Sequence, residues 1–469
     1  MTTLTMKFGG TSVGSAQAFT AASHIVLEQS REWERLIVVV SAMNGVTDNL
    51  IEGAQSASRG EDQNFQAIHS KLRERHHAAI DQLLSKSDER EPLLAEVDRF
   101  LEDYYNLCRS INVLGEVTPR AMDTISSRGE RMSARILAAL LRNHGGKSKA
   151  IDATSLIITD KQFQNAAPLM DITRDRILDE LGPSLDDGTI PIVTGFIGAT
   201  EEGLTTTLGR GGSDYTAAIL GSCLKADEVW IWTDVDGVMT ADPRILPDAR
   251  VIPVLSYSEV SELAFFGAKV LHPRTIRPIV EHEIPLWIKN TFNPTSPGTR
   301  ITLEPENSDG KVKAVTATGK TSVVMVEGRG MRGVPGIAGR TFSAVASEGA
   351  SVMMITQASS EQSICFVIPM DTVQPVIQAI ETEMKLELAR RDIDRIHSFD
   401  DMVIVTVVGA GLRKTPGISG QIFSALGKAG INIFAIAQGS SASSLSIVVA
   451  ANESKDAVRQ IHREVIINE

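Results

Sequence analysis

Over the first three hundred residues, short continuous apolar runs alternate with stretches in which apolar positions recur every three or four residues. The runs Leu4 to Phe8, Leu36 to Ala42, Pro191 to Ile197, Glu228 to Trp232 and Pro285 to Lys289 predict strands. Phe19, Ala22 and Val26, and then Met132, Ile136 and Leu140, recur at helical spacing. Residues 61–112 read as helical and charged, a solvated excursion from the sheet. Continuous apolar strands joined by helices predict an α/β fold, a mostly parallel sheet sandwiched by helices. The stretch from Asn293 to Lys311 gathers three prolines and two glycines among few apolar residues, and predicts the domain boundary.

Beyond it the pattern repeats. Gly330 to Val367 lies on Gly411 to Val448 without a gap, at a constant offset of 411 − 330 = 81. Pro335-Gly336 falls on Pro416-Gly417, Phe342 on Phe423, Gly349 on Gly430, Gln357 on Gln438, and Ser359-Ser360 on Ser440-Ser441. Two copies are too few for a solenoid, so this is a duplicated small domain. In the second copy Ile418, Ile422 and Leu426 form a helical stripe that Gly430 ends. Strands are expected from Ile431 to Ala437 and Leu445 to Ala450, and a closing helix from Ser454 to Val465. The order β-α-β-β-α-β predicts a ferredoxin-like α+β fold for each copy.

Composition narrows the class. The chain has 469 residues, which suggests roughly three domains, and 42% of them are hydrophobic, ordinary for a globular protein. No apolar run approaches the ~18 residues of a membrane span. The net charge of −12, with no compensating basic tract, argues against a nucleic-acid partner. Cys108, Cys223 and Cys365 are too few and too scattered for a disulfide framework or a zinc knuckle, so a reducing, cytoplasmic compartment is expected.

Three glycine-rich or acidic turns carry candidate chemistry. Lys7-Phe8-Gly9-Gly10-Thr11-Ser12 follows the first strand and precedes a helix; tandem glycines let backbone amides approach a polyphosphate, and Lys7 can neutralise it. It lacks the trailing lysine of a Walker loop, and without a ligand it is simply a tight turn with a surface lysine. Gly209-Arg210-Gly211-Gly212-Ser213-Asp214 repeats the logic: Ser213 is placed as an N-cap, Arg210 suits a carboxylate or phosphate, and Asp214 could hold a lysine. The strand Glu228 to Trp232 runs into Thr233-Asp234-Val235-Asp236-Gly237, then Asp242-Pro243-Arg244, carboxylates placed for a ribose, an amine or Mg²⁺; an Asx-turn loop would look the same. Gly328-Arg329-Gly330-Met331-Arg332-Gly333 matches a dinucleotide fingerprint, but its repeat partner breaks the pattern, with Gly409, Gly411 and Lys414 in those places, and the unit is too short for a nucleotide-binding half-domain. No histidine has metal-ligand spacing.

Taken together, KFGGTSV near the start, SRGERMS at 127–133, TLGRGGSDYTA at 207–217, WTDVDGV at 232–238, FGAKVLHPRT at 266–275 and the terminal repeat resemble the aspartate kinases of the amino-acid kinase superfamily. The resemblance implies an amino-acid-kinase catalytic domain over 1–302 and two regulatory ACT domains over 314–395 and 400–469. It implies transfer of the ATP γ-phosphoryl group, with Mg²⁺, to the side-chain carboxylate of L-aspartate, the first step of lysine, threonine and methionine biosynthesis. By family analogy Lys7 and Gly10 serve the transferring phosphoryl group, with Asp214 orienting it or the acceptor. Arg210 and Glu130 hold the α-carboxylate and ammonium of aspartate, and Ser41, Thr47 and Ser213 complete the acceptor site. Gly9, Thr233, Asp234, Asp242, Arg244 and Lys269 fall on the nucleotide side; protein ligands for the metal are not implied. Met239 stands where many members carry an aromatic residue near the adenine, and Met353 replaces an acidic residue typical of lysine-inhibited members. Gln357 and Gln438, with Gly336 and Gly417 at the two Pro-Gly turns, are the implied effector contacts, threonine being the effector expected. A monofunctional, ACT-paired homodimer or higher homo-oligomer is the expected form.

Two other readings stay open at this stage: a glutamate-type carboxylate kinase on the same fold, and a non-catalytic amino-acid sensor that keeps ACT domains on a silent kinase scaffold.

Overall fold

The computed structural model describes residues 1–267, 271, 273–303, 312–357, 362–410, 412, 415–438 and 443–467. It divides into two compact units: Met1–Val238, Val251–Tyr257 and Leu271–Pro305 form the first, and Met239–Arg250, Ser258–Val270 and Glu306–Glu469 the second.

The first unit is built on an eight-stranded sheet. Its strands run in the order Ser148–Ile151, Ile190–Thr194, Arg35–Val40, Thr3–Phe8, Glu228–Thr233, Leu286–Asn290, Thr299–Thr302, Val254–Ser256. Every pairing is parallel except that of Leu286–Asn290 with Thr299–Thr302, as buried apolar runs joined by helices require. Thr299–Thr302 lies inside the stretch expected as a boundary; Thr299 and Ile301 are buried and complete the sheet, so the chain leaves it only afterwards. The run from Pro191 divides in two: the first strand stops at Thr194, Phe196 turns back at φ 71°, and Ile197–Thr200 joins a separate three-stranded sheet with Ile158–Thr159 and Thr205–Thr207.

The helical excursion is less solvated than its charge suggests. Helices Asp62–Leu84 and Arg90–Leu114 bury Phe65, Leu72, Ile80, Val97, Leu101 and Tyr104 in the same core as Phe8, Val38, Ile136 and Trp232. Their charges lie on the outer faces, where Arg73 pairs with Asp98. Gly53, in the helix Val46–Ser58, is obligatory there, because a Cβ would fall 1.8 Å from the Tyr104 hydroxyl.

In the second unit two long antiparallel strands, Ala314–Glu327 and Arg395–Val408, lie at the centre of a six-stranded sheet. Each long strand serves both repeats. Val323 to Glu327 pairs with Arg395 to Phe399 inside the first repeat, whereas Ala314 to Thr318 pairs with Ile404 to Val408 and supplies the fourth strand of the second. The register shift between Thr318 and Thr321 separates the halves. The offset of the repeat carries over, since 395 − 314 = 81. The closing strand of the second copy therefore precedes the first copy in sequence.

The helices Ile337–Ser347 and Ile418–Lys428 start at Gly336 and Gly417, left-handed at φ 90° and 95°, and Gly430 at φ 72° follows the second helix as its stop. The strand expected from Ile431 is regular only over Ala435–Ala437. Residues 239–250 and 258–267 fold into this unit: Ala241 and Phe266 enter its cores, and Val315 N donates to Thr240 O.

Candidate active site

In the first unit, the strands Thr3–Phe8, Arg35–Val40, Ile190–Thr194 and Glu228–Thr233 all end on the same edge of the sheet, and their following turns are stitched together by backbone hydrogen bonds. Gly9 N donates to Trp232 O at 3.0 Å, Ser41 N to Phe8 O at 3.1 Å, Asn44 N to Gly10 O at 3.0 Å and Gly195 N to Val40 O at 2.9 Å. The strand Thr3–Phe8 has neighbours on both sides, so the crevice outside its carboxyl end is where a doubly wound sheet binds ligands.

The crevice is a cavity of about 550 Å³ lined by Lys7, Ser41, Thr47, Gln55, Met122, Asp123, Ser126, Glu130, Gln164, Phe196, Thr207 and the segment Gly209 to Asp214. Lys7 Nζ lies 2.6 Å from Asp214 Oδ1, with both side chains largely buried. Arg210 is exposed, and makes no hydrogen bond or ion pair to the described residues. The helix behind this loop is capped by Gly211 at φ 73°, so Ser213 is not its N-cap but lies in the first turn. A glycine reverses the chain there at no steric cost, while Ser213 presses on Gly195, where an added Cβ would fall 2.6 Å from its own Cβ.

Glu130 stands on the helix Arg128–Asn143, only 3% exposed. Its Oε1 accepts from Ala42 N at 3.1 Å, and its Oε2 is buried with no partner among the described residues. Burial pushes its carboxyl up to about 8, against smaller opposing effects of the Ala42 amide and the Lys7 charge. The preceding Gly129 lets the helix approach the loop closely, since a Cβ there would meet Ala42 Cβ at 2.6 Å.

Sequence reasoning passed over Asp123, Gln164 and Phe196 as cavity walls, and Arg75 as a clamp. Asp123 is 1% exposed and accepts from Gln164 N, Thr207 N and Thr207 Oγ1 at 2.8 to 3.1 Å. Burial raises its carboxyl above the ordinary range despite these donors. Arg75 donates to Asn44 O at 2.7 Å and Gly14 O at 3.0 Å, tying the turn after the first strand to the loop after the second. Only proximity of Asp123 to the SRGERMS segment hinted at any of these.

The nucleotide-side residues are distributed. Thr233 and Asp234 follow the strand Glu228–Thr233, where Thr233 Oγ1 donates to Asp234 Oδ1. Asp236 accepts from Asn290 and Asn293 amides at 2.7 and 3.1 Å. Asp242 and Arg244 belong to the second unit and pair with each other at 2.6 Å. Lys269 lies outside the described residues. No group of three or more His, Cys, Asp or Glu among the described residues could hold a metal ion. In the second unit Gln357 ends the edge strand Met354–Gln357 and Gln438 follows Ala435–Ala437; both are exposed.

A cavity with a paired lysine at one wall, a free guanidinium at its rim and an unsatisfied buried carboxylate oxygen suits a zwitterion beside a phosphate. The sequence matches the amino acid kinase family over residues 2–290 and the ACT domain family over 324–384 and 405–465. The chain belongs to the amino acid kinase family, among its aspartokinases. It is 32% identical to aspartokinase 2 of Arabidopsis thaliana over 98% of this chain and 84% of that protein. It is 37% identical to the bifunctional aspartokinase/homoserine dehydrogenase 1 of the same plant, of which it spans only 50%. Escherichia coli aspartokinase III, solved with aspartate and ADP in its R-state and with lysine and aspartate in its T-state, superposes with TM-scores of 0.80 and 0.79 at 29% identity, over 98–99% of this chain and 99% of that one. The mostly parallel kinase sheet and the ferredoxin-like ACT sheet are the expected fold class.

Proposed function

We propose that the protein transfers the γ-phosphoryl group of ATP to the side-chain carboxylate of L-aspartate, giving 4-phospho-L-aspartate and ADP. A carboxylate oxygen forms the new bond to phosphorus as the bond to the β,γ-bridging oxygen breaks, and the electron pair leaves on ADP. The nucleophile is already ionised at neutral pH, so the site needs no general base. What it must supply is placement and positive charge.

The observation that carries this reading is the convergence, in one cavity, of Lys7, Arg210 and the unpartnered Glu130 Oε2. Arg210 takes the α-carboxylate and Glu130 the ammonium, while Ser41, Thr47 and Ser213 offer hydroxyls around the side-chain carboxylate. Lys7 and the Gly10 amide receive the phosphoryl group beside Gly9, whose own N–H is taken by Trp232 O, and Asp214 keeps the lysine aimed. By the family resemblance Thr233, Asp234, Asp242, Arg244 and Lys269 are assigned to the nucleotide, with Mg²⁺ carried on the phosphate oxygens. The aspartate and ADP held by the E. coli relative support the same substrates here.

Residues 1–302 form the catalytic domain in this reading, and the repeats over 314–395 and 400–469 bind an amino-acid effector. Threonine is the effector, contacted by Gln357 and Gln438 at the turns that Gly336 and Gly417 open. The repeats also pair between chains as a homodimer, and the enzyme works in the cytoplasm at the entry to lysine, threonine and methionine synthesis.

The test is an ADP-release assay across aspartate, glutamate and acetylglutamate, with hydroxylamine trapping of the acyl phosphate. Aspartate should be turned over at least tenfold more efficiently than the others; equal turnover of glutamate would sink the assignment, and no turnover at all would favour a sensor.

A further inference from the structure

Two residues in the cavity wall are held in a conformation that side-chain-bearing residues avoid. Gln164 and Phe196 both sit at φ 71°, and both line the cavity. Backbone strain of this kind persists only where surrounding structure over-determines it, and it clusters at functional sites.

The surrounding structure is largely one carboxylate. Gln164 N donates to Asp123 Oδ1 and Oδ2 at 3.1 and 2.9 Å, Thr207 N to Oδ2 at 3.0 Å, and Thr207 Oγ1 to Oδ1 at 2.8 Å. No lysine or arginine among the described residues pairs with Asp123. Thr207 in turn is bound through its carbonyl by Ala166 N at 2.9 Å, and the next residue, Leu208, donates to Phe196 O at 2.8 Å. Phe196 N donates to Thr216 Oγ1 at 3.1 Å. Two separate stretches of chain thus converge on Asp123, a third is joined to them through Leu208 and Phe196, and the loop that leaves them is Leu208 to Ser213, which carries Arg210.

A carboxylate can meet all these donors at once because both its oxygens only accept. An asparagine would turn a donor toward one of the amides and weaken the grip on that segment. Arg210 has no partner of its own among the described residues, so its direction depends on the backbone beneath it.

We propose that Asp123 is the positioning residue of the acceptor site: by clamping Gln164 and Thr207 it sets the loop that aims Arg210 at the substrate α-carboxylate. This rests on the reading of Arg210 as the acceptor's anchor. It is specific to the acceptor half, since among the described residues the glycine turn after the first strand makes no hydrogen bond to Asp123 or Thr207.

The test compares wild type, Asp123→Asn and Thr207→Val in the full chain, with separate KM values for aspartate and ATP, kcat, and hydrogen exchange of peptides covering 160–168 and 204–215. Asp123→Asn should raise the aspartate KM about tenfold and Thr207→Val about threefold, with the ATP KM within about twofold, as loss of bonds to a charged group predicts. Exchange should quicken over 204–215 and stay unchanged over 7–15. An unchanged aspartate KM in folded Asp123→Asn, or aspartate and ATP KM values rising together, overturns the proposal. If Asp123→Asn does not fold, an unchanged aspartate KM in Thr207→Val does so. A wild type that fails to phosphorylate aspartate defeats the functional reading instead; exchange over 204–215 then decides the clamp alone, and no quickening in either variant overturns it.

Discussion

Lys7 and Asp214 meet at 2.6 Å although half the chain separates them, and their pairing joins the two glycine-rich turns of the cavity. The lysine is thereby held at the carboxyl end of the central strand without being neutralised by a bidentate grip, and stays able to meet a more highly charged phosphate. Removing one preorganised charge from a phosphoryl-transfer site costs about 10²–10³ in kcat. Lys7→Ala should therefore lose activity on that scale and also lose stability, because Asp214 is left buried and unpaired. The double variant Lys7→Ala with Asp214→Ala should regain the melting temperature and none of the turnover. Thermal melts beside ADP-release kinetics separate the two effects; recovery of turnover in the double variant would show that the lysine acts only structurally.

Glu130 gives a pH signature. Its carboxyl is raised from 4.5 to about 8 in the folded protein, so between those values the native state holds a proton that the unfolded chain does not. Stability contributed by neutral Glu130 is full below about pH 4.5 and is lost as pH rises toward about 8. Glu130→Gln should flatten that fall, read as the difference between the two proteins' melting temperatures across the same range. A substrate ammonium at Oε2 favours the ionised form. Binding of aspartate near pH 6.5 should release close to one proton, measured by calorimetry in buffers of different ionisation enthalpy, and Glu130→Gln should release none.

Arg75 clamps a different pair of segments from those held by Asp123. Its guanidinium binds the carbonyls of Gly14 and Asn44, one in the glycine turn and one in the loop of Ser41 and Thr47. Arg75→Met should raise both KM values about tenfold, in contrast to a change at Asp123, since the loss of a charged hydrogen-bond donor is worth ~1.5–3 kcal/mol. Steady-state kinetics with each substrate varied in turn measures this, and a change confined to one substrate would contradict it.

These clamps mark the limit of what the sequence made legible. Strand runs such as Leu36 to Ala42 announce themselves because both faces of a parallel sheet are buried, and the glycine turns follow from backbone approach. Asp123 and Arg75 act through backbone atoms of residues distant in sequence, and Gln164 through its own amide, so no local pattern betrays them. The same holds for the strand Ala314–Glu327, whose first half completes the second repeat: its partner is set by folding of the whole duplicated unit. Ser213 reads as a cap because serine favours that position, whereas a left-handed Gly211 occupies it.

The repeat makes the last prediction a matched pair. Gly336 and Gly417 occupy equivalent left-handed corners with open space around them, Gln357 ends one edge strand, and Gln438 directly follows the equivalent one. An alanine at either glycine meets no atom within 4 Å, so its cost is backbone strain alone, ~1–2 kcal/mol per residue. If the turns present helix N-terminal amides to an effector carboxylate, that strain should weaken binding without touching the cavity of the first unit. Gly417→Ala should shift the threonine inhibition curve about tenfold to higher concentration, and Gln438→Ala should abolish sensitivity, while uninhibited kcat holds within about twofold. Titrations with threonine, lysine and S-adenosylmethionine on wild type and on the Gln357→Ala and Gln438→Ala variants give the comparison. Inhibition curves that do not move in either glutamine variant would remove both residues from the effector site, and a response to lysine in place of threonine would change the effector while leaving the two corners as its docking points.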